Sequence, residues 1–224
     1  KIVSLTVTEK GYCHDPATGR LNHKHPQVKA DLKNTNQPCS ALGYLCEALY
    51  RRWKQDLGPF SIVSCDNLPS NGKVLRGLLI EFAKLRDAEL AHWIEDRVTC
   101  PSSMVDRIVP ATTETDRQNV QKQLGLEDQG VVVTEGFSQW VLEDNFCAGR
   151  PAWEEVGVTM VDDVTPFEHM KLRMLNGTHS TLAYLGFIVG HEFVADAAND
   201  SDFQQLLLEM WQDEIIPTLS MPVG

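Results

Sequence analysis

The sequence predicts an α/β protein in which a mainly parallel sheet, within residues 1–161, is followed by an all-α region over residues 162–224. Three observations predict this class. Up to about residue 161, short β-favouring runs alternate with segments whose leucines recur at helical spacing, which is typical of βαβ units. Beyond that point the apolar spacing is helical throughout. With 224 residues, of which 42% are hydrophobic, the chain is long enough to bury a sizeable core.

The first region opens with a β-branched run and is then punctuated by proline and glycine, which end one element and begin the next. Leucines at helical spacing mark the helices, and short runs rich in Val and Ile mark the strands. The elements expected here, in chain order, are a strand over residues 2–8, a polar loop over 9–36, a helix from Pro38 to Gly58, a strand over 60–65, and a helix from Ser70 past Trp93.

Shorter elements are expected in the rest of the first region. Thr115 and Gln118 have the spacing of a capping box for a short helix that ends near Gly125. Two β-like runs, residues 131–135 and 138–142, predict a hairpin or paired strands. The remaining expected elements are an extended segment within 97–115 and, in the all-α region, helices over 166–190, continuing through 198, and over 202–216.

The charge and the cysteines exclude several classes of function. A net charge of −11 argues against nucleic acid or an anionic membrane as a partner, because both require a basic surface. The chain contains no apolar stretch of membrane-spanning length and no secretory signal. Its six cysteines are dispersed, without the paired spacings of zinc sites, which favours reduced thiols in a cytoplasmic protein and no bound metal. The alternative is a metal site formed by Cys13, His14, His23 and His25.

A single lysine opens the most apolar predicted helix. From Met174 to Gly190 the sequence contains no Asp, Glu, Lys or Arg, so this helix is expected to be buried on most sides and Lys171 to lie in a dry environment. Desolvation disfavours the ammonium form of a lysine, and a lysine in such surroundings acts as a base near neutral pH. The pattern therefore predicts acid/base chemistry at Lys171.

Three further polar side chains fall on the same arc of this helix. Measured from the lysine at about 100° per residue, Glu168, His179 and Asn176 lie at roughly 60°, 80° and 140°. With apolar residues between them, they form a pattern typical of a pocket wall. The alternative is structural: Lys171 reaches solvent from the helix start, Asn176 caps the helix or bonds to backbone, and His179 is a hydrogen-bonded core histidine.

Candidate polar residues also follow the predicted strands. In open α/β sheets, ligands bind beyond the carboxyl ends of parallel strands. Asn67 occupies such a position after the second strand, and Asp106 lies in the turn-rich segment beyond residue 100. The structural alternatives are an Asx turn before Pro69 for Asn67, and an ion pair with Arg107 for Asp106.

Several separated blocks of this sequence, and the spacing of three polar residues, point to one family. The spacing is Lys171-x4-Asn176-x2-His179. The blocks, in chain order, are Thr6–Tyr12, Ser64–Gly72, Pro101–Ile108, Gln139–Asp144 and Gly149–Trp153. Both features resemble the polyol-specific long-chain dehydrogenase/reductase family, in particular its mannitol 2-dehydrogenase-like members, over essentially the whole chain. Ser102 departs from the family, which usually has Asn there.

The resemblance implies a partial Rossmann-like fold and an oxidoreductase that works without a metal ion. It also implies roles for the residues at matching positions. The expected roles are a general base for Lys171, oxyanion donors for Asn67 and Asn176, a proton relay for Glu168, orientation of the sugar for His179, and binding of substrate hydroxyls for Asp106, with Asn67 and His179 also in contact with substrate.

The resemblance further implies NAD or NADP as the cofactor and D-mannitol and D-fructose as the substrate pair, in an enzyme that is a monomer when complete. No glycine-rich G-x-G-x-x-G loop occurs in the chain, so no cofactor-binding residue is assigned. The chain is therefore expected to be an internal fragment of a longer enzyme. Two alternatives stay open: a reductase of the hexuronates fructuronate or tagaturonate, and a truncated, catalytically silent binding module.

Overall fold

The computed structural model of the protein describes residues 1–220. The chain divides into two compact units, Lys1–Asp162 and Asp163–Gly224. Among the described residues, the first unit contains strands interspersed with helices and the second is helical. The predicted α/β class with a following all-α region is confirmed. No helix within residues 1–220 combines the length and apolar character needed to cross a membrane.

Short strands alternate with longer helices in the first unit. The strands are β1 (Ile2–Leu5), β2 (Ser61–Ser64), β3 (Ser103–Asp106), β4 (Gln139–Glu143) and β5 (Thr159–Val161). The helices are α1 (Thr8–Gly11), α2 (Pro26–Lys33), α3 (Ala41–Lys54), α4 (Asn71–Arg86), α5 (Ala88–Arg97) and α6 (Glu114–Leu124), and a 3-10 turn covers Trp153–Val156.

The strands of the first unit pair mainly in parallel. β1 and β2 are parallel, with Leu5 opposite Ser64, so their carboxyl ends lie side by side. β3 is antiparallel to β4, which in turn is parallel to β5. The chain that leads into β3 lies beside β2. The Ile62 amide donates to the Thr99 carbonyl at 3.0 Å, and the Ser103 hydroxyl donates to the Ser64 carbonyl at 2.6 Å.

The main core of the first unit lies among α3, α4, α5 and strand β2. Leu42, Leu45 and Leu49 recur at helical spacing and are buried on one face of α3. The Ser40 side chain caps the start of this helix by accepting from the Gly43 amide at 3.0 Å. Local capping and one apolar stripe therefore explain why α3 forms where its leucine spacing predicts a helix.

The first strand is shorter than its sequence indicates. A strand is expected over residues 2–8, but β1 ends at Leu5. The next amides are used elsewhere, since those of Val7 and Thr8 donate to the Asp66 carboxylate at 3.0 and 2.8 Å. The prediction is wrong at this point because a side chain distant in sequence takes the bonds that a neighbouring strand would accept.

Two helical predictions in the first unit are wrong in detail. The polar loop expected over residues 9–36 contains α1 and α2. Helix α2 buries only Val28 and Asp31, so its apolar pattern is too weak to indicate a helix. The single helix expected from Ser70 past Trp93 is instead two helices, α4 and α5. The chain breaks at Asp87, whose side chain caps α5 by accepting from the amides of Glu89 and Leu90.

The strand and capping predictions beyond residue 110 are also partly wrong. Residues 131–135 form no strand, and β4 pairs with β3 and β5 instead of with that run. The capping box of α6 is formed by Thr113 and Asp116, two residues before the predicted pair. Gly125 ends this helix in the left-handed conformation, near the predicted end.

The second unit contains two helices that change winding along their length. The expected uninterrupted helix over 166–190 is instead α-helical at both ends and π-helical in the middle, and it ends at Gly190 in a left-handed conformation. Its parts and those that follow are α7 (Thr165–Met170), the first π-helical turn (Lys171–Asn176), α8 (Gly177–Val189), α9 (Val194–Asn199), α10 (Ser201–Glu209), the second π-helical turn (Met210–Ile215) and a 3-10 turn (Ile216–Thr218).

Acid is expected to weaken the first unit through one buried carboxylate. Asp31 accepts from the amides of Cys39 and Ser40 at 2.7 and 3.0 Å and from the Ser40 hydroxyl at 2.5 Å. Burial favours its protonated form, but the bonds from Ser40 and Cys39 together outweigh burial and lower the pKa of Asp31. Its stabilising contribution is therefore present above the pKa of an unfolded Asp, about 3.9, and is lost as pH falls through the lower folded value.

We expect Asp31→Asn to lower the free energy of unfolding at pH 7 by about 1.5–3 kcal/mol, because a charged acceptor is lost. The difference from wild type should shrink below about pH 3. Urea unfolding at pH 7 and below about pH 3 measures this difference in the free energy of unfolding. The exposed Asp56→Asn variant is the matched control. A difference that is the same at both pH values would contradict the assignment.

Candidate active site

A buried phenol and carboxylate hold the carboxyl end of β2. The Tyr12 hydroxyl donates to Asp66 at 2.5 Å and lies 2.5 Å from the Ser64 hydroxyl. Asp66 also accepts from the amides that follow β1, so it ties the ends of both parallel strands together. Burial, and then the bond to Asp66, raises the pKa of Tyr12, which keeps the phenol neutral and donating.

The turn after β2 is held from its other side by one buried carboxamide. The Asn71 amide nitrogen contacts the carbonyls of Asp66 and Ser103 at 2.9 Å each, and that of Ser64 at 3.2 Å. Its oxygen accepts from the Ser103 amide at 2.9 Å. Asn71 is fully buried, so these bonds join the turn to the start of β3 without competition from water.

This framework presents the two site residues predicted in the first unit. Asn67 lies exposed in the turn between Asp66 and Asn71, and Asp106 is the half-buried last residue of β3. The guanidinium of Arg107 donates to the Glu135 carbonyl at 3.1 and 3.2 Å. The strand-end position predicted for Asn67 is thus the position it has in the fold.

The site residues predicted in the second unit lie along one continuous helix. Lys171 is the first residue of the first π-helical turn and Asn176 is the last, and both are half-buried. Glu168 lies half-buried in α7, three residues before the lysine, and His179 lies exposed in α8, three residues after the asparagine. The helix therefore carries these four side chains within about three turns.

The expectation of a buried helix with a dry lysine is wrong for the described structure. Leu172 is 55% exposed, and further along α8 Phe187 and Ile188 are 82% and 75% exposed. Only a narrow stripe of α8, with Leu182 and Gly186, is buried. A sequence that is apolar on all sides of a helix predicts that the helix is buried, but it does not indicate which segments bury it. Among the described residues, α9 and α10 cover only one face of this helix.

The sequence reasoning missed the residues that hold these side chains in place. Tyr12 and Asn71 were not singled out, because a single buried polar residue in a turn or at the start of a helix has no periodic signal. The available signals were local: Asn71 precedes Gly72 at the start of a predicted helix, and Asp66 ends a buried strand. In the second unit, the Trp211 indole, which donates to the Thr178 hydroxyl at 2.7 Å, had no signal in the sequence at all.

Metal and thiol chemistry have little support among the described residues. Within residues 1–220, no group of three or more His, Cys, Asp or Glu side chains is placed to hold a metal ion, so the metal alternative for Cys13 and its histidine neighbours is not supported. The six cysteines are free. Burial raises the pKa of Cys46 to about 11 and that of Cys100 to about 12, which makes these thiols poor nucleophiles.

The residues present fit part of a dinucleotide site. β1 and β2 end side by side, and such adjacent carboxyl ends are where open α/β sheets bind their ligands. The chain has no glycine-rich phosphate loop, so none of its residues is assigned to a pyrophosphate.

Comparison with known proteins identifies the same two parts of the chain. Residues 2–155 match the mannitol dehydrogenase Rossmann domain, and residues 163–224 match the mannitol dehydrogenase C-terminal domain. The chain is 50% identical, over 223 residues, to D-mannonate oxidoreductase of Escherichia coli strain K12, a match that covers 100% of this chain and 46% of that protein.

Solved structures show the same relationship. D-sorbitol dehydrogenase in substrate-free form has 46% identity and a TM-score of 0.94, and the match covers 100% of this chain and 46% of that one. The ternary complex of Pseudomonas fluorescens mannitol 2-dehydrogenase with NAD and D-mannitol has 45% identity and a TM-score of 0.85, covering 100% and 45%. The chain thus spans about half the length of the curated relatives it matches. Its Rossmann-like first region is confirmed, and with both domain matches covering nearly all of its residues, the chain belongs to the mannitol dehydrogenase family.

Proposed function

We propose that the full-length protein containing this chain is a metal-independent, NAD(P)-dependent polyol dehydrogenase that interconverts D-mannitol and D-fructose. The observation that carries the proposal is the position of Lys171 and Asn176, an amine and a carboxamide, at the two ends of one π-helical turn. Oxidation of a secondary alcohol needs a base and a fixed hydrogen-bond donor at its oxygen. Membership of the mannitol dehydrogenase family supports the same chemistry.

Lys171 is the proposed general base. The alcohol oxygen gives its proton to the lysine amine, while Asn67 and Asn176 donate hydrogen bonds to that oxygen as it becomes negatively charged. Hydride leaves the carbon readily only when the oxygen carries negative charge, so a group that stabilises this charge lowers the barrier. The ammonium formed on Lys171 adds to that stabilisation. NAD or NADP, when bound, accepts the hydride.

Three further residues have supporting roles in the proposal. Glu168, half-buried three residues before the lysine, takes the proton from the ammonium and passes it to solvent. The exposed His179 binds and orients the sugar, and Asp106 accepts hydrogen bonds from substrate hydroxyls. We further propose that the full-length protein is a monomer and that it is cytoplasmic, a location that its free, dispersed cysteines favour.

A hexonate is the second candidate substrate, and one specific observation favours it. The chain is 50% identical to D-mannonate oxidoreductase, slightly more than the 48% it shares with mannitol dehydrogenase DSF1 of Saccharomyces cerevisiae. A hexonate, like the hexuronate from which it forms, carries a carboxylate that requires a cationic partner. We assign no residue of this chain to that partner, which is why D-mannitol remains the first proposal.

The substrate is tested by steady-state oxidation of D-mannitol and D-mannonate, each with NAD and with NADP, by the full-length protein. We expect kcat/KM for D-mannitol to exceed that for D-mannonate by at least about tenfold, because a carboxylate without a cationic partner stays poorly bound. Activity that survives dialysis against a chelator is expected as well. The reverse preference would identify the protein as a hexonate enzyme.

A catalytically silent module is the remaining alternative. Calorimetric titration of the full-length protein with NADH separates it from both enzymes, because a dehydrogenase must bind its cofactor. We expect saturable binding at one site. A flat titration, together with no turnover of either substrate, would support the silent module.

A further inference from the structure

The first π-helical turn lies between two helical segments whose positions are held independently. On one side, the Asp163 carboxylate accepts from the Thr165 amide at 3.0 Å and from its hydroxyl at 2.6 Å, at the start of α7. On the other side, α8 packs closely on α9, since a Cβ atom on Gly186 would lie 2.9 Å from that of Ala197. The first π-helical turn therefore lies between two helical segments that each make contacts of their own.

This widening changes which side chains share a face. In a regular α-helix, residues five apart such as Lys171 and Asn176 differ by about 140° around the axis. In a π-helical turn the hydrogen bond spans five residues, as between the Gly177 amide and the Leu172 carbonyl, so residues five apart lie on the same side of the helix. Lys171 and Asn176, the two ends of the turn, are therefore closer to one face of the helix than they would be in regular α-helical winding.

A second π-helical turn packs against the first. From it, the Trp211 indole N–H donates to the Thr178 hydroxyl at 2.7 Å, two residues after the first turn ends. In the 3-10 turn that follows, Thr218 receives the Arg173 guanidinium, which donates to its carbonyl at 2.8 Å and to its hydroxyl at 2.9 Å. The first turn is thus bonded to the other helix from its middle and from just beyond its end.

We propose that Trp211 is a positioning residue: its bond from the second π-helical turn to Thr178, just beyond the first turn, holds the first turn in the wide form that puts Asn176 on the same face as Lys171. This inference rests on the proposed function for the roles of those two side chains. Trp211 itself touches neither substrate nor cofactor in the proposal. Its effect reaches the reaction through the orientation of the Asn176 carboxamide, whose bond to the alcohol oxygen strengthens as negative charge develops.

The test uses Trp211→Phe and Thr178→Val in the full-length enzyme, each of which removes one end of the bond while keeping an apolar side chain. We expect kcat for polyol oxidation to fall about tenfold with KM nearly unchanged, because a misplaced donor weakens transition-state binding more than ground-state binding. The double variant should be no worse than either single one, since one bond is lost in all three. A primary deuterium isotope effect on kcat should rise as hydride transfer becomes slower.

Thr181→Val is the matched control. It removes a hydroxyl from the same helix at similar burial, but that hydroxyl donates to the Gly177 carbonyl of its own helix at 2.9 Å and makes only a long 3.9 Å contact with the Met210 sulfur. We expect its kcat to stay within about twofold of wild type. A kcat that falls equally in the control, or stays unchanged in both test variants, would overturn the proposal.

A second measurement separates this proposal from the proposed function. Hydrogen exchange of the Gly177 amide, which donates within the wide turn, should accelerate about tenfold in Trp211→Phe and Thr178→Val and not in Thr181→Val. This result does not depend on activity. If Lys171→Ala keeps full activity, the proposed function is wrong. If hydrogen exchange at the Gly177 amide is unchanged in both test variants, the positioning role of Trp211 is wrong, whatever the outcome for Lys171.

Discussion

Replacing Lys171 by alanine is expected to lower the maximal rate of polyol oxidation in the full-length enzyme by at least about 100-fold, or about 2.7 kcal/mol of transition-state stabilisation. The physical reason is that the alcohol proton then has no positioned acceptor, and the charge on the oxygen loses its nearest cation. KM for the polyol should change much less than kcat, because the lysine acts mainly on the developing alkoxide.

The measurement is steady-state oxidation across about pH 6 to 10, with and without added methylamine, since a small amine can replace a missing lysine base. Lys84→Ala, at an exposed position of α4, is the matched control and should match wild type. Partial rescue of Lys171→Ala alone by the amine would support the assignment. Near-wild-type oxidation by that variant over the whole pH range would refute it.

Replacing Gly72 by alanine should lower the free energy of unfolding by about 3 kcal/mol. Gly72 lies in the first turn of α4, packed on the chain that leads into β3. An added Cβ atom would lie 2.6 Å from both the Pro101 carbonyl carbon and the Ser102 nitrogen, and closer still to the Cys100 carbonyl oxygen. These are backbone atoms and cannot rotate away. The start of α4 must therefore shift, and with it the Asn71 carboxamide that holds the turn carrying the proposed oxyanion donor.

Gly77→Ala provides the control, because this glycine lies exposed in the same helix with no atom within 4 Å of the added Cβ. It should raise the free energy of unfolding by about 0.5–1 kcal/mol through better helix propensity. Urea unfolding of both variants and the wild type measures the difference. Equal free energies for the two variants would show that the close approach at Gly72 does not matter.

The predicted elements differ in how well their local signals specify them. Helix α3 has both a strong apolar stripe and a side-chain cap, and it forms within the predicted segment. Helix α2 has neither a wide stripe nor a side-chain cap, and it was missed. Strand β1 was predicted too long because the amides of Val7 and Thr8, which follow it, bond to the Asp66 carboxylate, about 60 residues away in the sequence. Such a contact leaves no trace in the local pattern.

The predictions for the candidate site divide in the same way, between features that are local in the sequence and features that depend on distant contacts. Asn67 was proposed because a strand end is a local feature that the sequence displays, and it lies in the turn after β2 as that feature indicates. The surroundings of Lys171 were predicted wrongly, as buried, because an apolar helix does not reveal which segment covers it. The predicted 140° between Lys171 and Asn176 also assumed regular winding, which the π-helical turn replaces. A periodicity that assumes regular winding does not predict such a turn.

The sequence by itself determined the α/β class, the change to an all-helical region near residue 162, and the residue types and spacing that point to alcohol oxidation. The first two follow from hydrophobic period and local capping, which act between residues close together in the chain, whereas alcohol oxidation is what the resemblance to the family implies. Only the tertiary structure decided the parallel register of β1 and β2, the bonds from Tyr12 and Asn71 that hold the turn of Asn67, and the π-helical winding between Lys171 and Asn176. Each of these depends on close packing and on hydrogen bonds between groups distant in sequence, whose partners are chosen only when the chain has folded.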